Sequence, residues 1–382
     1  MNDHPLPLRD ADSQERTAAM TKFLVDKMIK CGGFLPLRDY IDAVLYTPGL
    51  GYYESQSIIF GHGTRDDGGD FITSSELTPL FARTWASPIA ANLPIAPFIW
   101  EFGGGSGRFC ADLMTELEAR QALPKRYYMI EKSATLKQRQ RDTLKRDIPH
   151  LFALIEWVDD LPAVMEGSVF LNEVLDAVPP HVFVRHHQQW FVQGVLFTNH
   201  TFTLDQRPLT DPAMIALCQS RAPLNEADCV VEINTDAQHL VTRIARAMSA
   251  SHTGAPLYIC DYGFERHDTI PERYLKGTLR AFYRHRLTDN VLAMPGLIDI
   301  TAHVDFLSVL EAAQEGGLQL ETFCSQKEWL IRHGILDHLL TLTRDHPNQS
   351  AQGSRAVQTL ISPEAMGDIF KVLVLRDGFG KK

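Results

Sequence analysis

The run FIWEFGGGSGRF (98–109) constrains this chain more than any other stretch. Phe98 to Phe102 form an apolar pentapeptide broken only by Glu101, the composition of a strand buried on both faces. Gly103, Gly105 and Gly107 follow at alternate positions. Glycine is needed where φ is positive or where backbone must approach a ligand closely. Phe109, Leu113 and Leu117 then repeat at helical spacing. In open α/β sheets, a loop of this kind at a strand's carboxyl end is where nucleotide-like ligands bind.

The rest of the chain supplies the remaining strands. YYMIE (127–131), FALIEWV (152–158), SVFLNE (168–173) and LYICDYG (257–263) read as strands separated by helices, including a basic helix over 134–146. That alternation implies parallel β-α-β units. LQLETFCS (318–325) and IFKVLVLR (369–376) read as a closing antiparallel pair, and HVFVRHHQQWFVQGVLFTN (181–199) as an inserted hairpin or meander. Helices are expected over 13–31 and 37–45, with a long glycine-rich loop over 49–69. The fold class is therefore α/β, a Rossmann-like open sheet with an N-terminal helical region and an inserted β-hairpin and helical segment. Its expected parts are a helical and loop region covering the site (1–95), a ligand-binding core (96–180), an insertion on the substrate side (181–255), and the remainder of the sheet with its loops (256–382).

Bulk properties exclude several classes. A net charge of −10 argues against nucleic acid as the main partner, because phosphate binding needs a basic footprint. The six scattered cysteines include no C-x-x-C pair, so disulfide staples or a thiolate metal site are not expected. The N-terminus carries neither a secretory nor a transit signal, and no apolar run reaches the ~18 residues of a membrane span. A cytoplasmic protein is the expectation. His181, His186 and His187 lie in an alternating pattern that separates them onto different faces, so no metal site is read from them. The basic-aromatic run RYLKGTLRAFYRHR (273–286) reads as a helix packed by its aromatic residues, with an RNA or acidic protein surface as the alternative.

Spacing chooses the cofactor. The dinucleotide fingerprint G-x-G-x-x-G/A places Arg108 or Cys110 at its third position, and neither fits. E-x-G-x-G-x-G is instead the spacing of class I methyltransferases, so S-adenosylmethionine is the expected cofactor. Glu101, Gly103, Gly105 and Gly107 would take its methionine end, and Glu131 both ribose hydroxyls. Trp157 and Asn172, at the ends of the third and fourth strands, complete the set. NEVLDAVP (172–179) puts Asn172, Glu173 and Asp176 where burial is costly unless they bind something. A helix-capping role is the other reading for Asn172 and Asp176. His303 and Asp305 either line the substrate opening or cap a helix.

GYY (51–53), GDFITSSEL (69–77), EFGGGSG, NEVLDAVP, DYG (261–263), GTLRAFYRH (277–285), DITAHVDF (299–306) and MGDIFKVL (366–373) occur in that order. Together they resemble the MidA-like methyltransferase family over nearly the whole chain. The chain departs at Ser75 and Gly104, where many relatives carry proline. Mitochondrial members resemble protein arginine methyltransferases that assist assembly of respiratory complex I. The resemblance thus implies methylation of an arginine in a protein partner, with a homodimer left open. Guanidinium is always protonated and is matched by carboxylates. Glu173 is the first candidate to orient it, supported by Asp176 and Glu76. Two rivals are a non-catalytic assembly factor or partner-binding module that merely holds the cofactor, and a nicotinamide-dependent oxidoreductase, which the missing glycine disfavours.

Overall fold

The strands expected between 98 and 376, apart from the inserted hairpin, pair into one sheet. In the computed structural model, which describes residues 11–54, 73–222, 228–265, 276–283, 286–288 and 290–378, its strands are β1 (Phe98–Phe102), β2 (Arg126–Ile130), β3 (Ile155–Val158), β4 (Ser168–Asn172), β5 (Leu257–Phe264), β6 (Leu318–Ser325) and β7 (Phe370–Asp377). They lie in the order β6-β7-β5-β4-β1-β2-β3, with a short strand at Val304–Asp305 added beside β5. The strands from β1 to β5 are parallel, while β7 is antiparallel to both its neighbours. From β1 the chain steps outward through β2 and β3, then returns to place β4 on the other side of β1. The crevice between β1 and β4 is the topological switch point.

Helices cover both faces, which is why β5 and β7 read as near-continuous apolar runs. On one face α4 (Pro79–Ala90) and α5 (Arg108–Ala119) pack Trp85, Phe109 and Leu113 against Phe170 and Tyr258. On the other, the helices Thr235–Ser249 and Phe306–Glu315 press Val241, Ile244 and Val309 onto Leu171 and Ile259. Two N-terminal helices, α1 (Ala11–Lys30) and α2 (Leu37–Tyr46), and the one-turn α3 (Ser74–Leu77) precede this core. A sixth helix, α6 (Ala134–Asp147), follows β2. No helix among the described residues is long and apolar enough to cross a membrane.

Several expectations change in detail. The inserted hairpin belongs to a five-stranded antiparallel sheet of Leu35–Pro36, His181–His186, Gln189–Thr198, Thr201–Pro208 and Cys229–Ile233. Leu35 pairs with Val195, so the N-terminal region and the insertion share one sheet. His187 sits in the turn with φ +55°, rather than in the strand with His186. FALIEWV opens with a 3₁₀ turn over Phe152–Leu154, and the strand starts at Ile155. The largest correction is RAFY (280–283), which is a strand and not a helix. Ala281 and Tyr283 are buried while Arg280 and Phe282 are half-exposed, a period of two that its aromatic content had masked. Residues 273–275, 284 and 285 of that run, and 55–69 of the glycine-rich loop, lie outside the described residues.

Trp85 ties the first helical layer to the sheet. It is fully buried, with ring centroids 4.7 Å from Phe170, 5.6 Å from Tyr258 and 4.9 Å from Trp329. Trp85→Ala is expected to lower the unfolding free energy by about 3–5 kcal/mol in urea titration; a loss below about 1 kcal/mol would show that this layer contributes little.

Candidate active site

The loops leaving β1 and β4 open into a cavity of about 960 Å³, counted out to its mouth, at the switch point. On the β1 side, the Gly103 amide donates to the Ile130 carbonyl at 3.0 Å, which ties the glycine loop to the end of β2. Gly105 adopts φ +50° and, with Gly103 and Gly104, presents backbone rather than side chain to the cavity. Gly107, at φ +86°, starts α5, and a Cβ there would stand 3.1 Å from the Cα of Gln140. Gly107 therefore serves helix packing and does not line the cavity.

Two acids flank this loop. Glu101 is buried at the cavity wall and accepts a hydrogen bond from the Tyr127 hydroxyl at 2.9 Å. Burial pushes its carboxyl up to about 8; the Tyr127 hydroxyl opposes the rise and the neighbouring Glu131 adds to it. Glu131 sits just past β2, also raised by burial, with Oε1 accepting from the Ser133 amide and Oε2 from the Gln140 side chain, each at 3.0 Å. A carboxylate oxygen has two lone pairs, so both oxygens keep an acceptor site for a diol. Backbone glycines, a buried acid and a diol acceptor around one cavity are what S-adenosylmethionine, with its amino-acid end and ribose, requires. The residues present fit it.

Trp157 is placed differently from the expectation. It is absent from the cavity lining. Its indole N–H donates to Gln140 Oε1 at 2.8 Å, and the Arg141 guanidinium lies 4.6 Å from its ring centroid.

Across the crevice, Glu173 takes a left-handed backbone conformation, φ +52°, and its amide donates to the Cys260 carbonyl at 2.9 Å. Such a φ is uncommon outside glycine and concentrates at functional sites. Glu173 Oε1 accepts from the Ser74 amide at 2.8 Å and from Asn172 Nδ2 at 3.0 Å. Oε2 is buried with no hydrogen-bond partner among the described residues, and so is Asp176 Oδ1. Burial pushes the Glu173 carboxyl up to about 8, with Asp176 adding to the rise. Burial, then Asp261 and Asp299, hold Asp176 well above the usual carboxylate range. Neither Asn172 nor Asp176 caps a helix; their loop is non-helical. Glu76, on α3, lines the same cavity and accepts a hydrogen bond from Ser106, docking α3 onto the glycine loop.

Four further residues complete the site, none of them assigned from the sequence. Asp261, at the end of β5, accepts from the amides of Val174, Leu175 and Asp176 at 3.2, 3.0 and 3.3 Å through one oxygen. Tyr53 donates to Asp299 Oδ1 at 2.9 Å, and Tyr46 to the Ala177 carbonyl at 2.8 Å. The two rings stack at 5.3 Å, and Tyr46, Tyr53 and Asp299 all line the cavity. Tyr53, Asp261 and Asp299 each lie in a segment that marked the family resemblance, and that was the available signal; Tyr46 lies in none of them. Asp305 instead caps the helix Phe306–Glu315, accepting from the amides of Leu307 and Ser308. Neither it nor His303 reaches this cavity.

Comparison with known proteins points to the same cofactor. Residues 82–324 match the family model described as an S-adenosyl-L-methionine-dependent methyltransferase. A COG1565 superfamily structure from Burkholderia thailandensis, bound to S-adenosyl-homocysteine, superposes with a TM-score of 0.92 at 33% identity, covering 99% of this chain and 96% of that one. Among curated proteins, the mitochondrial protein arginine methyltransferase NDUFAF7 of Mus musculus is 28% identical over 96% of this chain and 86% of its own length. The Homo sapiens protein of the same name is 25% identical over 91% and 81% respectively.

The three amides held by Asp261 set the path of residues 174–176. Asp261→Ala leaves them without their acceptor, and an expected loss of about 2–4 kcal/mol in chemical denaturation follows. An unchanged midpoint would mean that the loop is held by other contacts.

Proposed function

This chain belongs to the S-adenosyl-L-methionine-dependent methyltransferase family matched over residues 82–324, and on that premise we propose that it methylates the guanidinium of an arginine in a protein substrate. The observation that carries the acceptor is the pair of buried, unpartnered oxygens, Glu173 Oε2 and Asp176 Oδ1, on the cavity wall. Two orphaned acceptors beside the stacked rings of Tyr46 and Tyr53 favour a planar cation that only donates hydrogen bonds. Guanidinium is that group, and the names of the NDUFAF7 relatives point the same way.

Bound, the cofactor supplies a methyl group on a positively charged sulfur. Glu101 and the Gly103–Gly105 backbone would hold its amino-acid end, Glu131 its ribose, and Asn172 the β4 edge of the site. Glu173 does the orienting. Burial favours its protonated form near neutrality. An arriving guanidinium favours the ionised form, and the pair then fixes one nitrogen in place. Once that nitrogen has gained a methyl group it must shed a proton, and Glu173 is the acid placed to accept it. Positioning supplies most of the rate in this scheme, with proton transfer adding to it.

The partner is a protein with an accessible arginine, and a respiratory-complex subunit is the class named by the sequence resemblance. A reducing compartment suits the six free cysteines. Cytoplasmic placement stands as our proposal, set against the mitochondrial names of the curated relatives.

Glu173→Gln keeps the shape and the Oε1 contacts while removing the charge. It is expected to bind S-adenosylhomocysteine normally and to lose at least about tenfold in methyl transfer to lysate proteins, roughly 1.4 kcal/mol in the barrier. The assay uses radiolabelled methyl donor followed by amino-acid analysis. Undiminished transfer would remove Glu173 from the mechanism, and label on a residue other than arginine would overturn the acceptor.

A further inference from the structure

Gln140 stands in a strongly charged stretch of α6, yet it is fully buried. Its amide makes three hydrogen bonds. Nε2 donates to the Gly105 carbonyl at 3.2 Å and to Glu131 Oε2 at 3.0 Å, while Oε1 accepts from the Trp157 indole at 2.8 Å. Two acceptors on one side and a donor on the other allow only this orientation of the amide. One side chain thus joins the β1 loop, the end of β2 and the end of β3. The glycine at 107 permits it, since a Cβ there would stand 3.1 Å from the Gln140 Cα and 3.3 Å from its carbonyl oxygen.

We propose that Gln140 is the positioning residue for the adenosine end of the cofactor. It does not line the cavity and so acts through its partners. Its N–H bond to Oε2 fixes the plane of the Glu131 carboxylate and leaves the remaining lone pairs directed at a ribose diol. Its second N–H bond sets the height of the Gly105 carbonyl relative to that carboxylate. Trp157 completes the arrangement by holding the amide oxygen, which prevents the amide from turning over. The assignment concerns cofactor geometry and holds whichever side chain receives the methyl group.

Two variants test it, with S-adenosylhomocysteine as the probe in isothermal titration. Gln140→Leu removes all three bonds and should weaken binding by at least about tenfold, as loss of bonds to a charged group requires. Gln140→Glu is isosteric but sets a second carboxylate against Glu131, which also faces Lys137 on α6, Glu101 on β1 and the Tyr46 hydroxyl on α2. At pH about 8 the two carboxylates repel; as pH falls toward about 6 a shared proton rebuilds the lost donor. Affinity of this variant relative to wild type at the same pH should therefore rise at least about threefold on acidification, because the wild-type amide cannot titrate and the site's other acids are common to both proteins. A Gln140→Leu protein that binds like wild type overturns the assignment. So does a Gln140→Glu protein without acid recovery, because a packing role alone would not respond to pH. If Gln140→Leu does not fold, the pH profile of Gln140→Glu decides alone.

Discussion

A carboxylate removed from water costs several kcal/mol unless a cation or a set of donors meets it. This protein gathers Glu101, Glu131, Glu173, Asp176 and Asp299 around one cavity, with Asp261 immediately behind the β4 loop. Among the described residues no arginine or lysine makes a salt bridge to Glu101, Glu131, Glu173, Asp176 or Asp261. Protein donors answer part of the demand. Tyr127 serves Glu101, Ser133 and Gln140 serve Glu131, and Ser74 serves Glu173. Oε2 of Glu173 and Oδ1 of Asp176 keep their demand open. The site is thus suited to positively charged occupants, and the methyl transfer proposed above, from a sulfonium to a guanidinium, would bring two of them.

Holding unsatisfied acids in place requires a stiff frame, and the parallel sheet provides it. The switch point puts the β1 and β4 loops opposite one another, so the cofactor loop and the acceptor acids come from strands paired side by side. Asp261 from β5 then grips three successive amides of the β4 loop. That grip holds Asp176, while the Cys260 carbonyl holds the left-handed Glu173 backbone. From the N-terminal region, α3 closes the cavity through the Ser74 and Glu76 contacts, and Tyr46 and Tyr53 brace Ala177 and Asp299. Regions distant in sequence therefore act on a single set of oxygens.

What could be read from the sequence was what depends on near neighbours. The apolar strands, the glycine loop and the acids at strand ends are local patterns, and the sheet of β1 to β7 follows from them. Glu101, Glu131, Glu173, Asp176 and Glu76 all meet at the cavity as expected. Contacts that cross the chain were not legible. Tyr53 meets Asp299 across 246 positions, and no period in either segment announces it. Gln140 was hidden by charged neighbours that made its helix read only as a basic one. Trp157 misled because a large aromatic at a strand end can serve the site through another side chain instead of touching the ligand. RAFY misled because four residues are too few to separate a period of two from a helical one when three of them are large or aromatic.

Proton release on cofactor binding tests the claim that these acids are kept for cations. Glu101 and Glu173 sit at about 8 because of burial, so near pH 7 they hold protons that a positive charge should displace. Calorimetric titrations in buffers of different ionisation enthalpy count the protons released. S-adenosylmethionine carries the sulfonium charge and S-adenosylhomocysteine does not. The account predicts greater proton release with the former at pH about 7, the difference vanishing above pH about 9 as the carboxyls ionise without help. Equal release for both ligands at pH about 7 would contradict it.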